Sequence, residues 1–304
     1  MDAVLRVLLP IFLIIFIGYG FRRVNFPGAH FWPLLEQITY FIFFPALLID
    51  QLATAPLTQF NEHALIIVLL GALLLTTALL MIIRPFLGIT GAAFTSVFQG
   101  SIRFNSYVGL AVVATLPLAS GVSLAAIALA TMIPLINVLC VLFLAHYAAH
   151  KRATASLIWR AILRNPLIIA CLIGIILNRS PLNLPLMLQD TLTLLGRAAL
   201  PLGLLTVGAA LQFNAIKAHM LSIVLSSGIK LILLPLLTYA GCQLLTVQQP
   251  ILTVAVLFTG LPTATSAYIL ARQMGGDEGL MANIVTVQTL IAALTLPGLL
   301  TMLA

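Results

Sequence analysis

The sequence predicts an all-α polytopic membrane protein with ten transmembrane helices, arranged as an inverted 5+5 repeat with two broken, crossing helices at spans four and nine. Three observations predict this fold class. Of the 304 residues, 62% are hydrophobic and only 7% are charged, so most of the chain must face lipid or other buried helices. Ten apolar runs approach the roughly 20 residues that cross a bilayer. The two halves of the chain also repeat rare residues at a fixed spacing.

The ten predicted spans are separated by short polar breaks. They lie near residues 3–21, 33–52, 64–84, 92–116, 121–145, 164–178, 190–211, 217–240, 250–272 and 280–303. The first is predicted to be a span and not a signal peptide, because Arg22 and Arg23 follow the apolar stretch and no small-residue cleavage site appears. The longest break, 146–163, is a basic loop, so no separate nucleotide-binding domain is expected and the energy for any work must come from gradients, the membrane potential or a partner.

The positive charges predict the orientation of the spans. Breaks after even-numbered spans carry one basic residue, Arg179. Breaks after odd-numbered spans carry Arg22, Arg23, Arg84, Lys151, Arg152, Arg160, Arg164, Lys217 and Arg272. The positive-inside rule therefore places the odd breaks in the cytoplasm and both termini outside. Because topology explains the net charge of +7, nucleic acid is not an expected partner, whereas membrane lipid is.

The two halves of the chain, 1–150 and 151–304, are predicted to be copies of one five-span unit. At an offset of 156 the coinciding pairs are Pro10/Pro166, Gly18/Gly174, Arg23/Arg179, Pro45/Pro201 and His63/His219. Since five is odd, the second copy would sit upside down in the bilayer, an arrangement that many secondary transporters share.

The repeat also pairs two unusual segments in spans four and nine. At an offset of 160, "QGSIRFNSYVGLA" (99–111) aligns with "TGLPTATSAYILA" (259–271). Both place glycine and polar side chains inside an apolar run, with Arg103 in one and Pro262 in the other. Non-helical backbone at membrane depth is tolerated only where it is buried in protein or lines a cavity. We therefore expect one shared cavity, in which the N-terminal ends of two half-helices favour a carboxylate.

The stretches "RFNSYVGLA" and "LPTATSAYILARQMGGD", together with the ten-span plan, resemble the auxin efflux carrier family in its bacterial branch. The resemblance covers essentially the whole chain. It implies the crossed-helix fold of bile acid sodium symporters, with a scaffold domain and a transport domain each drawn from both repeats and an elevator-type shift between them. It also implies a homodimer in a bacterial inner membrane that exports or exchanges small organic anions such as malate. The long cytoplasmic loop of many plant members is missing, so auxin is not an expected native substrate.

The predicted substrate-binding residues lie in or near the breaks. They are Asn105, Arg103, Ser106, Thr265, Ser266, Pro262 and Lys230. The resemblance implies that Asn105 contacts the substrate or an ion. The alternative is that Asn105 only caps a helix. Charges within a membrane mark functional sites by default, so Arg103 and Lys230 are expected to pair with an anion. The alternatives are snorkelling for Arg103 and a hydrogen-bonded strut for Lys230.

The coupling ion is left open by the sequence. All seven acidic residues are placed near span ends or in breaks, which argues against the embedded carboxylates of sodium/proton antiporters. Residues that could instead contact a sodium ion, or support those that do, are Asn137, Gln288, Thr289, Pro45 and Pro201. The two prolines are included because each frees a backbone carbonyl. Efflux driven by the membrane potential needs no partner ion. No cofactor or metal is expected.

A secondary transporter of mono- or dicarboxylates is thus the predicted function. The alternatives are a sodium-coupled symporter of the bile acid type and an anion channel, although a channel usually needs repeated filter charges. An enzyme is not expected, because no Ser/His or paired-aspartate arrangement accompanies the breaks.

Overall fold

The computed structural model describes residues 2–54, 62–118, 121–148, 166–180, 184–212 and 219–303. Within these ranges the chain forms helices and no strands, so the predicted all-helical class is confirmed there. The helices are α1 (Asp2–Arg23), α2 (Phe31–Ala53), α3 (Glu62–Ile83), α4 (Gly91–Ile102), α5 (Ser106–Thr115), α6 (Gly121–Tyr147), α7 (Pro166–Arg179), α8 (Leu186–Ala209), α9 (Met220–Leu244), α10 (Ile251–Gly260), α11 (Ser266–Met274) and α12 (Glu278–Leu303). The basic residues Lys151, Arg152, Arg160, Arg164 and Lys217 lie outside the described residues.

Each predicted apolar run contains helix, but the helices differ in length. Among the described residues, six are long and apolar enough to cross a membrane: α2, α3, α6, α8, α9 and α12. Helices α4, α5, α10 and α11 have only 9 to 12 residues each, well short of the roughly 20 that a span needs. The six long helices support a polytopic membrane protein, and the ten-span repeat stays a prediction.

Pro262 ends α10 in the ninth apolar run. Leu261 precedes Pro262 and is extended, with φ −69° and ψ 149°. A proline disfavours helical backbone at the preceding residue and has no N–H to donate. The helix resumes only at Ser266, which leaves 261–265 as a non-helical segment.

The fourth apolar run is interrupted at Arg103 to Asn105, without a proline. Arg103 is extended after the end of α4, with φ −71° and ψ 153°. Asn105 then adopts an N-cap conformation and its side chain accepts hydrogen bonds from the first turn of α5, a role for which asparagine is among the best residues. Residues 103–105 form the second interruption.

Two other prolines follow wider helical turns. A π-helical turn at Thr39–Phe43 ends two residues before Pro45 in α2, and one at Ile229–Leu233 ends two residues before Pro235 in α9. Such turns relieve the backbone crowding and the missing donor that proline brings. Pro201 lies inside the continuous helix α8, so the sequence equivalence of Pro45 and Pro201 does not extend to their local helix geometry.

Four helices pack in the order α1, α8, α2 and α7, and we call them the panel group. Glycines bring their backbones together, as small residues do in membrane helices. A Cβ on Gly18 of α1 would overlap the Leu205 carbonyl of α8, and a Cβ on Gly174 of α7 would lie 2.7 Å from the Cβ of Leu52 in α2. The remaining helices, α3 to α6 and α9 to α12, surround the two interruptions and form the crossing group.

Candidate functional site

The two interruptions lie against each other. The backbone N–H of Asn105 donates to the Pro262 carbonyl at 2.8 Å, and the Thr263 hydroxyl lies 2.9 Å from the Gly100 carbonyl. Residues more than 150 positions apart therefore share one crossing point, as the aligned sequence segments predict.

Side chains from neighbouring helices satisfy the carbonyls where α4 and α10 end. The Nε2 of Gln288 in α12 donates to the Gly100 carbonyl at 2.8 Å, while its Oε1 accepts from the Thr263 N–H at 3.0 Å. The Nζ of Lys230 in α9 donates to the Thr259 carbonyl at 2.8 Å and lies 6.0 Å from the Phe104 ring centroid. The last carbonyls of a helix have no partner within it, and each unsatisfied group in a bilayer costs several kcal/mol. Gln288 and Lys230 thus hold the interruptions in place.

Asn105 caps a helix, and its side chain also carries a buried donor. Its Oδ1 accepts from the N–H groups of Tyr107 at 3.0 Å and Val108 at 3.3 Å, which caps α5. The side chain is 1% exposed, and its Nδ2 has no hydrogen-bond partner among the described residues. Because a buried donor without a partner costs free energy, the amide nitrogen is an available contact for a ligand.

Arg103 brings an uncompensated positive charge to the crossing. Its Nη2 donates to the Ser266 hydroxyl at 3.3 Å, and its buried Nη1 has no hydrogen-bond partner within the described ranges. The ion pair that the described residues form joins Arg272 to Glu278, at 3.7 Å and exposed to solvent. Among the described residues no carboxylate lies within ion-pair distance of Arg103, so its Nη1 is a candidate donor to an anionic ligand.

Two small adjoining cavities lie at the crossing. The Arg103 cavity has a volume of about 60 Å³ and is also lined by Phe104 and Asn137. The Glu36 cavity has a volume of about 50 Å³ and is also lined by Asn105 and Thr265. Both are lined by Tyr40, Ser106, Leu167, Ala264 and Ser266. Since Ser106 and Ser266 begin α5 and α11, the positive ends of two helix dipoles face these cavities.

A larger cavity, which we call the vestibule, lies on the other side of Glu36. Its volume is about 300 Å³, and it is lined by Arg22 and Arg272, which are exposed, as well as by Glu36 and Thr265. The Thr265 hydroxyl donates to Glu36 Oε1 at 3.0 Å. Glu36 and Thr265 are the two residues that line both the vestibule and the Glu36 cavity, so this hydrogen-bonded pair separates the two spaces.

The structure brings together most of the predicted site residues. The cavities at the crossing are lined by Arg103, Asn105, Ser106, Asn137, Thr265 and Ser266. Pro262 contributes its carbonyl to the backbone contact at the crossing, and Gln288 and Lys230 hold the helix ends without lining a described cavity.

Three further predicted residues line none of the described cavities and do not contact the crossing through a described side-chain hydrogen bond. The Thr289 hydroxyl donates to the Val285 carbonyl of its own helix at 2.7 Å, as hydroxyls in membrane helices commonly do. Pro45 in α2 and Pro201 in α8 are absent from the lining of the three described cavities. That their freed carbonyls contact an ion or the substrate stays a hypothesis.

The main correction concerns Glu36. The sequence analysis counts Glu36 among the acids near span ends and does not name it as a site residue, but the structure places its carboxyl against Thr265 in the ninth run. The position of Glu36 near the end of a predicted span does not reveal that an interruption in another run lies beside it. The sequence feature that could have identified Glu36 as a site residue is its position within the apolar stretch "FWPLLEQITYF". Thr263, which joins Gln288 to Gly100, was also missed as a structural contact.

Comparison with known proteins indicates a membrane transporter. Residues 150–300 match the family described as "Membrane transport protein". The chain is 27% identical over 318 aligned positions to a protein of Rhizobium meliloti (strain 1021) named "Putative malonate transporter", covering 99% of this chain and 96% of that protein. It is 25% identical over 293 positions to an "Uncharacterized transporter" of Methanothermobacter thermautotrophicus, covering 95% of each chain.

These matches and the long apolar helices identify a multi-pass membrane transporter, and the names of the family and the relatives indicate transport rather than catalysis. The resemblance carried by the two interrupted runs is confirmed. Residues 150–300 match the membrane transport protein family, and the chain as a whole is similar to the auxin efflux carriers of that family.

Proposed function

We propose that the protein is a secondary transporter that carries small organic anions, mono- or dicarboxylates, across a bacterial inner membrane. The anion binds where the two interruptions cross. One observation carries the proposal: Arg103 Nη1 and Asn105 Nδ2 are buried donors that have no partner among the described residues. They lie in two adjoining cavities that are both lined by the N-termini of α5 and α11.

A carboxylate is an acceptor that suits each of these groups. It accepts charge-assisted hydrogen bonds from a guanidinium, which are about twice as strong as neutral ones, and it is favoured at a helix N-terminus. A neutral ligand would leave the charge of Arg103 uncompensated. The malonate in the name of the rhizobial relative is such an anion, so malonate and malate are the first substrates to test.

Packing supports the inverted repeat of ten spans as part of the proposal. Gly18 and Gly174 are equivalent in the predicted repeat, and each lies in the close contact between one helix and a helix of the other half: α1 with α8, and α7 with α2. We propose that the panel group is the scaffold, the crossing group is the transport domain, and an elevator-type shift between them moves the anion. Glu36 and Leu167 of the panel group line the cavities together with the interruptions, which fits a site at the moving boundary.

The proposed orientation of the chain determines the side of the membrane to which the vestibule opens. Arg22 follows the first span and Arg272 follows the ninth, and both line the vestibule. With odd breaks in the cytoplasm, the vestibule opens inward, and its two arginines attract anions from that side.

Counterflow in proteoliposomes tests the function. Vesicles loaded with unlabelled malonate should take up labelled malonate in a saturable way, faster than empty vesicles, and malate and short monocarboxylates should compete. A large current that does not saturate would support the channel instead, and uptake that requires sodium would support the bile acid type of symporter. Inertness toward every small carboxylate would contradict the proposal.

Replacing Arg103 by alanine tests the site. Hydrogen bonds to charged groups contribute about 1.5 to 3 kcal/mol, so Arg103→Ala should weaken malonate binding about 10- to 100-fold. Arg197→Ala is the matched control, because Arg197 is an exposed arginine of α8 that lines none of the three cavities. Equal malonate affinity in both variants, measured by ligand-induced thermal stabilisation, would rule out the Arg103 site.

A further inference from the structure

Glu36 lies between the vestibule and the crossing, where a negative charge would oppose the passage of an anion. Among the described cavities, the vestibule and the Glu36 cavity have only Glu36 and Thr265 in common. Their side chains are hydrogen bonded at 3.0 Å. An anion that moves from the vestibule to the donors of Arg103 and Asn105 therefore passes this carboxyl group, and two like charges repel strongly where little water separates them.

The groups that face Glu36 leave its carboxyl without an ion-pair partner. Within the described residues, no cation lies within ion-pair distance of it. The ionisable groups in the two cavities are Arg22 of α1, Tyr40 of α2, Tyr107 of α5, and Tyr268 and Arg272 of α11, with Arg103 in the adjoining cavity. The residues of α7, α8 and α12 that line the two cavities carry no ionisable group. The two vestibule arginines are exposed, so solvent screens their effect on Glu36.

We propose that Glu36 is a proton-binding site that couples anion transport to proton movement. This inference rests on the proposed function. The carboxylate takes up a proton from the side from which the anion enters and becomes a neutral carboxylic acid. The anion then passes to the crossing, and the proton is released on the opposite side, so that the anion and the proton travel in the same direction.

The ligand set favours a proton over a metal cation. Hard cations are held by about six or more oxygens, whereas among the described residues the Glu36 carboxyl is hydrogen bonded to one side chain, the hydroxyl of Thr265. No group of three His, Cys, Asp or Glu side chains that could hold a metal occurs in the described part of the chain. A single carboxyl group with a hydroxyl donor is sufficient for a proton.

Simultaneous measurement of malonate and protons tests the coupling. The full chain is reconstituted with a trapped pH indicator, the membrane potential is clamped, and labelled malonate is added outside. Wild type should acidify the vesicle interior as malonate enters, and the uptake should fall as the external pH rises, by up to about tenfold per unit once the carboxyl is largely ionised. Malonate uptake by wild type without proton entry, or uptake that follows sodium instead, would overturn the coupling and leave the proposed function standing.

Variants locate the proton site. Glu36→Gln cannot bind a proton, so its ratio of protons to malonate should fall to less than about a tenth of the wild-type ratio, and its flux should lose the dependence on pH. Glu36→Asp keeps a titratable group and should keep the ratio. Glu278→Gln, which removes an exposed acid outside the cavities, should also keep it.

Each outcome decides between the two claims. A wild-type ratio in Glu36→Gln overturns the role of Glu36 alone. Failure of wild type to move any mono- or dicarboxylate overturns the proposed function, and the coupling with it.

Discussion

At the scale of single residues, the candidate site contains buried polar atoms that have no partner among the described residues. Asn105 uses its oxygen to cap α5 and keeps its amide nitrogen for another acceptor. Arg103 contacts Ser266 with one nitrogen and leaves another unpaired. In a buried setting such groups cost free energy, which is recovered only when an acceptor arrives.

Replacing Asn105 by aspartate separates the capping role from the binding role. Aspartate retains an oxygen that caps a helix about as well as asparagine, but it replaces the amide donor with a negative charge. We expect Asn105→Asp to unfold at a temperature close to wild type and to lose malonate transport. Asn105→Ala should lose about 0.5 to 2 kcal/mol of stability as well. Transport by a folded Asn105→Asp variant would mean that Asn105 is only a cap.

At the scale of helices, the interruptions persist because other helices satisfy their ends. Gln288 of α12 connects the end of α4 to Thr263, and Lys230 of α9 binds the end of α10. A proline and an asparagine are visible in the sequence as reasons for a helix to stop. The partners that make the stop tolerable at membrane depth come from distant parts of the chain, and only their arrangement in space identifies them.

Substitution of Lys230 tests whether it supports the helix or binds the substrate. Lys230 is fully buried, and Lys230→Met keeps much of its volume but leaves the Thr259 carbonyl without its donor. The expected loss is about 1 to 3 kcal/mol of stability, seen as a lower unfolding temperature in detergent. Malonate affinity of the folded variant should stay within a few-fold of wild type. Unchanged stability together with lost affinity would instead make Lys230 a substrate contact.

At the scale of the whole molecule, two groups of helices meet at the site. The panel group is closely packed through glycines, and the crossing group carries both interruptions. The cavities lie where Glu36, Tyr40 and Leu167 of the panel group approach Ser106 and Ser266. A shift between the groups would change the access to these cavities without breaking the bonds within the crossing.

The close contact between α1 and α8 is expected to tolerate no added atoms. A Cβ on Gly18 would overlap the Leu205 backbone, so Gly18→Ala should cost about 1 to 3 kcal/mol, as overpacking does. Gly20→Ala in the same helix is the control, because its Cβ would meet nothing within 4 Å and alanine favours a helix. Thermal unfolding of both variants makes the comparison. Equal unfolding temperatures would contradict the packing argument.

The orientation of the chain can be tested by cysteine labelling. Phe86 follows the third predicted span and is 85% exposed, and Leu244 follows the eighth, at the end of α9, and is 84% exposed. The native cysteines Cys140, Cys171 and Cys242 are buried, so their background labelling should be low. In intact spheroplasts, an impermeant maleimide should label Leu244→Cys but not Phe86→Cys, and lysis should make both reactive. The reverse pattern would place the termini inside.

The sequence by itself determined the helical class, the apolar runs, the two positions where helices stop and most of the polar residues at the crossing. Those features are local, because hydropathy and helix-breaking residues act within about one turn or one span. Only the tertiary structure decided that Gln288 and Lys230 hold the helix ends and that Glu36 lies against Thr265, 229 positions away. Such contacts depend on how the helices pack, which a pattern of hydropathy does not record, and they placed a carboxyl group beside the proposed anion site.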